Sequence, residues 1–262
     1  MDLGNIAMMG VENMTFQTKR LKATALGALM LATAPMAANA LSISVQTFSA
    51  TAFDNVIDSF VSHDTEDFEG PGATVCSGSA ECQVGTSLNP TLVGDFSTLG
   101  DTGTGNTVVG DGTQLALKST GSPVPGGRSN TTAGGAWWLD SNDTTGINWD
   151  VARAGGATFD RIAFSLSDAA DVGATLTVSA NGTTLESFVN QQNATVDLVV
   201  IDFDSLIAGA TIELRNNRTN DGFGIDDATV GAIPIPAAGL MLLTALGGLG
   251  GVGALRRRRK AA

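Results

Sequence analysis

The feature that most constrains the fold is an alternation of apolar and polar residues, repeated along most of the chain between residues 41 and 231. A period of two places apolar side chains on one face of a β-strand, so each run is predicted to be a half-buried strand. Turn-forming Gly, Asn and Asp separate the runs. Seven of them are clear: 42–48, 114–118, 161–166, 175–179, 197–203, 211–214 and 223–230. This pattern predicts an all-β domain over 41–231, an antiparallel β-sandwich of the jelly-roll kind.

Two segments make sharper local predictions. Asn181-Gly182 lies between two alternating runs, and this dipeptide favours the tight turn of a β-hairpin. Near the start of the domain, five apolar residues instead recur at helical spacing and predict one short amphipathic helix: Phe53, Val56, Ile57, Phe60 and Val61.

The charge balance excludes one class of function. The chain has 26 acidic and 14 basic residues, a net charge of −12, and most of the basic residues lie near its two ends, in 19–22 and 256–260. The intervening chain is therefore strongly acidic, which repels nucleic acid and favours cations as partners. We expect no nucleic-acid binding.

Residues 1–40 have the organisation of a secretory signal peptide. An uncharged apolar run over 23–34 follows three basic residues, Lys19, Arg20 and Lys22. The run is too short for a permanent span of a bilayer about 30 Å thick. The small-x-small pattern that signal peptidase cleaves follows it, at Ala38 and Ala40. Leu41 is the expected mature N-terminus, and Met14 the expected true start because residues 1–13 fit no part of a signal peptide.

Residues 232–262 are predicted to form a C-terminal membrane segment. The uncharged span 237–255 could form a single transmembrane helix nearly 30 Å long, at about 1.5 Å per residue. Basic residues that flank a transmembrane helix remain on the cytoplasmic side of the membrane. Four of them follow this span directly: Arg256, Arg257, Arg258 and Arg259. The β-sandwich would then lie outside the inner membrane.

The order of a short motif, an apolar span and an arginine cluster resembles the VPLPA-CTERM sorting tail, a relative of the PEP-CTERM tails. The motif here is Ile233, Pro234, Ile235, Pro236 and Ala237, with Ile in place of the family's Val and Leu. The resemblance implies export and transient anchoring in the inner membrane. It also implies processing by an exosortase-like membrane sorting protease and a final location at the cell surface or in the extracellular matrix, often with exopolysaccharide.

The two cysteines, Cys76 and Cys82, are separated by five residues in a loop rich in small residues. In an exported chain such a pair is expected to form a local disulfide. A metal site formed by these cysteines is not expected, because two thiols are too few and the one histidine, His63, is remote in sequence.

Candidate catalytic groups are scarce. The chain has one His and no Tyr, and His63 has acidic neighbours but no Gly-x-Ser-x-Gly elbow. A carboxylate pair that hydrolyses glycosidic bonds stays open, because separation in space cannot be read from sequence. We predict that the protein is not an enzyme.

Acidic residues are clustered in three places: 66–69, 140–143, and Asp221 with Asp226 and Asp227. Ca²⁺ requires six to eight oxygen ligands, which such clusters supply. Neighbours in a strand face opposite ways, so one of Asp226 and Asp227 is expected to point inward, where a carboxylate needs a partner. Bound Ca²⁺ would provide it; the alternative is that these Asp residues are solvated turn formers.

An early Asp67-Phe68-Glu69 and a late Ile225-Asp226-Asp227 together resemble extracellular jelly rolls of the MAM and carbohydrate-binding-module type. The resemblance implies that the first and last strands pair and share a structural Ca²⁺. Its ligands would be Glu69 or Asp67 together with Asp227 or Asp226.

Trp137 and Trp138 raise the question of glycan binding. Adjacent strand residues face opposite ways, so one indole is expected in the core and the other facing out or under a loop. An exposed Trp could stack on a sugar ring, with Trp149 near it, although core packing is the more ordinary role of Trp.

The sequence therefore predicts a non-catalytic exported surface or matrix protein, sorted by its tail and stabilised by Ca²⁺. The alternative is a carbohydrate-binding module that associates with exopolysaccharide. A hydrolase acting on glycans is the third possibility.

Overall fold

A computed structural model describes residues 41–171 and 173–234. In these residues the elements are, in chain order, β1 (Leu41–Thr47), α1 (Ala50–Ile57), β2 (Ser62–Glu66), α2 (Glu69–Val75), β3 (Glu81–Gly85), β4 (Ser87–Thr91), β5 (Gly94–Thr98), β6 (Leu115–Ser119), β7 (Trp137–Asp140), β8 (Gly146–Val151), a 3₁₀ turn (Ala154–Gly156), β9 (Phe159–Ser167), β10 (Thr175–Ala180), β11 (Thr183–Val189), β12 (Val196–Ile207), β13 (Ala210–Asn216) and β14 (Gly224–Ala232).

The strands form two antiparallel sheets, which confirms the all-β sandwich. The first sheet has the order β1-β12-β9-β14-β7-β6-β3, and β2 pairs with the C-terminal part of β14. The second has the order β11-β10-β13-β8-β5-β4. β14 is thus an interior strand, with β9 along one edge and β7 and β2 along the other.

Side chains from both sheets share one core. At its centre Trp149 of β8 stacks on Phe96 of β5, with ring centroids 5.0 Å apart, and meets Phe164 of β9 edge to face at 5.9 Å. The indole Nε1 donates to Val93 O at 3.0 Å, so the buried ring has its polar atom satisfied. This packing holds the two sheets together.

The predicted hairpin is confirmed. β10 and β11 pair on either side of Asn181 and Gly182, which have φ angles of 48° and 76°. Positive φ at both central residues is the geometry of a type I′ turn, which Asn-Gly favours.

The predicted helix is shorter than its apolar spacing suggested. Ser49 caps α1, its Oγ accepting from Ala52 N at 3.1 Å. Phe53 and Val56 of α1 pack against a small cluster on the first sheet, formed by Ala163, Leu198 and Val200. The prediction was wrong for Phe60 and Val61, because the helix ends at Ile57; Val61 is exposed.

A second helix, α2, had no clear signal, because its sequence contains two Gly and one Pro. Gly72 of this helix faces Trp137 so closely that a Cβ atom there would lie 2.2 Å from the indole Cδ2. Just after α2, Cys76 and Cys82 form the expected disulfide, which joins the end of the helix to β3.

The predicted signal peptide (1–40) and most of the predicted tail lie outside the described residues; this includes Ile235, Pro236, Ala237, the span to 255 and the arginine cluster. Of the sorting motif only Ile233 and Pro234 are described, and Ile233 N donates to Asp160 Oδ1 at 2.8 Å. Within 41–171 and 173–234, no helix combines the length and the hydropathy needed to cross a membrane.

Candidate functional site

The predicted calcium ligands Asp67, Glu69, Asp226 and Asp227, here named the β14 cluster, lie near one another because β2 pairs with β14. In the described residues, however, no three of these residues bring carboxylate oxygens within 4.8 Å of one another, as the ligands of a compact metal site would. Glu66, the last residue of β2, is opposite Ala228. Asp67 and Glu69 therefore follow β2 beside the acidic pair. Burial raises the pKa of the Asp227 carboxyl, and the charges of Asp67 and Glu69 raise it further.

The two neighbouring aspartates do not point to opposite faces, so that prediction was wrong. The pairing of β14 with β9 shifts register between Asp226 and Thr229, and Asp227 has a φ of 51°, in the left-handed region. Such a bulge breaks the alternation of side chains. As a result, both carboxylates contact the same two residues, Thr131 and Thr132.

Backbone and side-chain donors surround these carboxylates. Asp226 Oδ2 accepts from Thr131 N at 2.7 Å, Thr132 N at 3.2 Å and Asn130 Nδ2 at 3.1 Å. Asp227 accepts from the hydroxyls of Thr131 and Thr132, both at 2.7 Å. The segment 130–132 therefore folds over the acidic pair and adds its own oxygen atoms to the site.

Glu69 belongs to the same network. Its Oε1 accepts from Ala136 N at 2.6 Å and Trp137 N at 2.7 Å, and lies 3.3 Å from Asn130 Nδ2. Since Asn130 Nδ2 also donates to Asp226, one amide links the two predicted ligands. Asp67 Oδ1 accepts from Glu69 N at 3.1 Å, which holds the turn that follows β2.

The β14 cluster has an excess of negative charge. Asp226 is 1% and Asp227 5% exposed, and neither forms an ion pair with Lys or Arg within the part of the chain that the structure describes. Burial, together with the charge of Asp227, raises the pKa of Asp226 to about 8. Burial and mutual repulsion oppose the charged forms of these two carboxylates, and a proton or a bound cation would relieve both effects.

A second acidic group, here named the loop cluster, consists of Asp168, Asp171 and Asp221. Asp168 directly follows β9, and Asp221 precedes β14. One carboxylate oxygen from each lies within 4.8 Å of the others, so the three could hold a metal ion. Sequence reasoning grouped Asp221 with Asp226 and Asp227 instead, because Asp221 is remote from Asp168 and Asp171 along the chain.

The loop cluster forms one wall of a cavity of about 230 Å³. Asp168 and Asp221 are buried. Burial raises the pKa of Asp168 to about 6, and burial together with the adjacent Asp171 carboxyl raises the pKa of Asp221 to about 7. The rest of the cavity is lined mainly by amides and a hydroxyl: Asn106, Thr107, Asn193 and Asn220.

The predicted cluster at 140–143 is not a cation site. Asp140 lies 3.5 Å from Lys118 Nζ and 3.6 Å from Arg128 Nη1, and Asp143 accepts from Arg128 Nη2 at 2.7 Å. All four side chains are at most 3% exposed. The sequence did not reveal this network, because Lys118 lies in an alternating strand where a solvent-facing position was expected.

The two tryptophans have the predicted division of roles, but neither is free to stack on a sugar. Trp138 is 1% exposed, which contradicts its candidate stacking role, and Trp149 is fully buried. Trp137 is half-buried, and its ring covers Gly72 of α2. His63 is exposed on β2 and contacts Phe60 at a ring distance of 5.6 Å.

No family model matches the chain, and no curated protein matches it. Among solved structures, a family 35 carbohydrate-binding module from Clostridium thermocellum is 12% identical, with a TM-score of 0.29, over 65% of this chain and 98% of that one. The catalytic domain of a GH87 α-1,3-glucanase is 11% identical, with a TM-score of 0.26, over 66% of this chain and 29% of that one.

The CBM22-1 and GH10 modules of the Clostridium thermocellum endo-1,4-β-D-xylanase 10B, complexed with xylohexaose, are 11% identical, with a TM-score of 0.28, over 68% of this chain and 29% of that one. At such TM-scores these similarities carry no conclusion about function.

Proposed function

We propose that this protein is a non-catalytic, exported cell-surface or matrix protein whose β-sandwich holds a structural Ca²⁺ at the β14 cluster. The buried pair Asp226 and Asp227, without a Lys or Arg partner in the described residues, is the observation that supports it. Ca²⁺ accepts an irregular set of oxygen ligands, as the carboxylates and the two threonine hydroxyls would provide.

Export and sorting rest on the sequence. In this proposal residues 1–40 direct secretion, the tail from Ile233 onward anchors the chain transiently in the inner membrane, and an exosortase-like protease processes it. An extracellular location agrees with the disulfide and with a metal that is abundant outside cells.

A non-catalytic role agrees with the few groups available for catalysis. In the described residues the one imidazole, His63, is exposed and packs beside Phe60. Glu69 and Asp226 accept hydrogen bonds from backbone N–H groups, as structural carboxylates do.

The test is thermal unfolding of the purified full chain in about 2 mM Ca²⁺, which exceeds the dissociation constants typical of extracellular calcium modules, and in excess EDTA. A ligand that binds only the folded state raises Tm. We expect Ca²⁺ to raise Tm, and Asp227→Asn to reduce that rise while the exposed control Asp95→Asn preserves it. Equal Tm values in Ca²⁺ and EDTA would contradict the proposal.

A second candidate function, association with exopolysaccharide, is favoured by the cavity beside the loop cluster. Its lining amides, those of Asn106, Asn193 and Asn220, can both donate to and accept from sugar hydroxyls. Affinity electrophoresis in gels containing bacterial exopolysaccharide would test it. We expect the polysaccharide to retard the wild type, a double change Asn193→Ala and Asn220→Ala to relieve the retardation, and Asn55→Ala on α1 to have no effect. Unretarded wild-type protein would exclude this role for the polysaccharide used.

A further inference from the structure

The buried basic residues beside the loop cluster neutralise its charge only in part. Arg128 Nη2 lies 2.7 Å from Asp143, whereas Lys118 Nζ and Arg128 Nη1 lie 3.5 and 3.6 Å from Asp140. In the described residues, the one ion pair that reaches the loop cluster joins Arg128 Nε to Asp168 Oδ2 at 3.8 Å, beyond hydrogen-bonding distance. Two cations therefore face five carboxylates, and the group as a whole keeps an excess of negative charge.

Asp221 shows the consequence most clearly. It is 2% exposed, and within the described residues its carboxylate receives one hydrogen bond, from Asn216 Nδ2, which is 3.5 Å long. That amide is committed to Asp221 O, to which it donates at 2.6 Å. A carboxylate buried beside Asp171 with so little donation is costly unless a proton or a cation is present.

An independent observation comes from the basic side of the cavity. Arg128 lines the same cavity with a side chain 3% exposed, and its Nε has no hydrogen-bond partner in the part of the chain described. Leaving a buried N–H without an acceptor is unfavourable. An additional oxygen atom in the cavity would satisfy it.

We propose that the loop cluster binds a hydrated Ca²⁺ ion at a second site, separate from the β14 cluster. Asp168, Asp171 and Asp221 supply carboxylate oxygens, and water completes the six to eight ligands that Ca²⁺ takes. A water molecule held in this way places an oxygen in the cavity, within reach of the unpartnered Arg128 Nε. The ion would tie the loop after β9 to the loop before β14.

Calorimetric titration of the chelator-treated full chain with CaCl₂ tests this proposal. We expect Asp221→Asn to bind one Ca²⁺ fewer per chain than the wild type, while the exposed control Asp95→Asn keeps the wild-type stoichiometry. A folded Asp221→Asn variant with unchanged stoichiometry and affinity would overturn the proposal.

Two further variants keep the test decisive. If Asp221→Asn loses its near-ultraviolet circular dichroism, the half-buried Asp171→Asn takes its place; we expect it to weaken the same site at least tenfold, and unchanged affinity would overturn the proposal. Asp227→Asn separates the two sites, because it should leave the loop site intact. Loss of a Ca²⁺ in Asp221→Asn but not in Asp227→Asn supports this site and rejects the β14 site; the reverse pattern overturns this inference alone.

Discussion

The carboxylates of Asp226 and Asp227 converge on a single hydroxyl: Oδ2 of Asp226 lies 3.2 Å, and Oδ2 of Asp227 2.7 Å, from Thr131 Oγ1. One hydroxyl proton cannot serve both oxygens. The two buried negative charges thus compete for the same donor, which is why the protonation of this pair should govern the stability of the metal-free protein.

The first prediction concerns pH. A carboxyl with a raised pKa binds its proton more tightly in the folded state, so its stabilising effect is complete below the unfolded pKa near 3.8 and is lost as pH rises through the folded value. For Asp226, with a pKa of about 8, Tm in EDTA should fall from about pH 4 to about pH 8 and level off above it. Asp226→Asn, which mimics the protonated carboxyl, should make this fall shallower.

Calcium should counteract this fall of Tm with pH, because metal binding competes with protons for the same oxygens. The difference in Tm between Ca²⁺ and EDTA should therefore grow with pH. A wild-type Tm in EDTA that stays level over this range would contradict the raised pKa.

The second prediction concerns the contact between α2 and Trp137. Gly72→Ala should destabilise the domain by about 1–3 kcal/mol, because the new methyl group would overlap the indole. Gly70 is the matched control: it lies in the same helix with open space around it, so Gly70→Ala should be neutral or stabilising by up to about 1 kcal/mol. Urea unfolding measures both, and equal effects would show that helix propensity alone decides.

The third prediction concerns the buried ion network. Arg128→Ala leaves Asp140 and Asp143 with less compensation in the interior and should cost about 3–5 kcal/mol of stability. Arg215 forms an exposed pair with Glu213, so Arg215→Ala should cost less than about 1 kcal/mol. Unfolding in urea at low and high salt would compare them; similar costs would rule out a structural role specific to Arg128.

The fourth prediction concerns the disulfide. The loop that Cys76 and Cys82 close is short, so the bond should contribute only about 2–3 kcal/mol through the entropy of the unfolded chain. Replacing both residues by Ser should lower stability by that amount and leave the fold intact. Reduction by dithiothreitol should lower the Tm of the wild type to that of the variant, and leave the variant unchanged.

Sequence reasoning found the features that depend on local pattern. The alternation located strands such as β9 and β12, and Asn181-Gly182 located a hairpin. The resemblance of two short motifs placed Asp67 and Glu69 beside Asp226 and Asp227, as the pairing of β2 with β14 does. The pairing of the first and last strands that it implied was wrong, because β1 pairs with β12.

Features that depend on tertiary structure were missed. The bulge at Asp227 reverses the expected direction of a side chain, and a period-two pattern contains no signal for it. Arg128 and Asp143 are close only because loops fold over the ends of β6 and β7. The loop cluster likewise requires the ends of β9 and β14 to meet.

The interior position of β14 has a mechanical consequence. Any pull on the chain beyond Ala232 enters the sheet along a strand that is hydrogen-bonded on both edges, to β9 and to β2 and β7. Because these bonds run perpendicular to the strands, such a force loads many of them together in shear, rather than opening them one at a time as it would at an edge strand. A domain tethered through β14 should therefore resist mechanical unfolding better than one tethered through an edge strand.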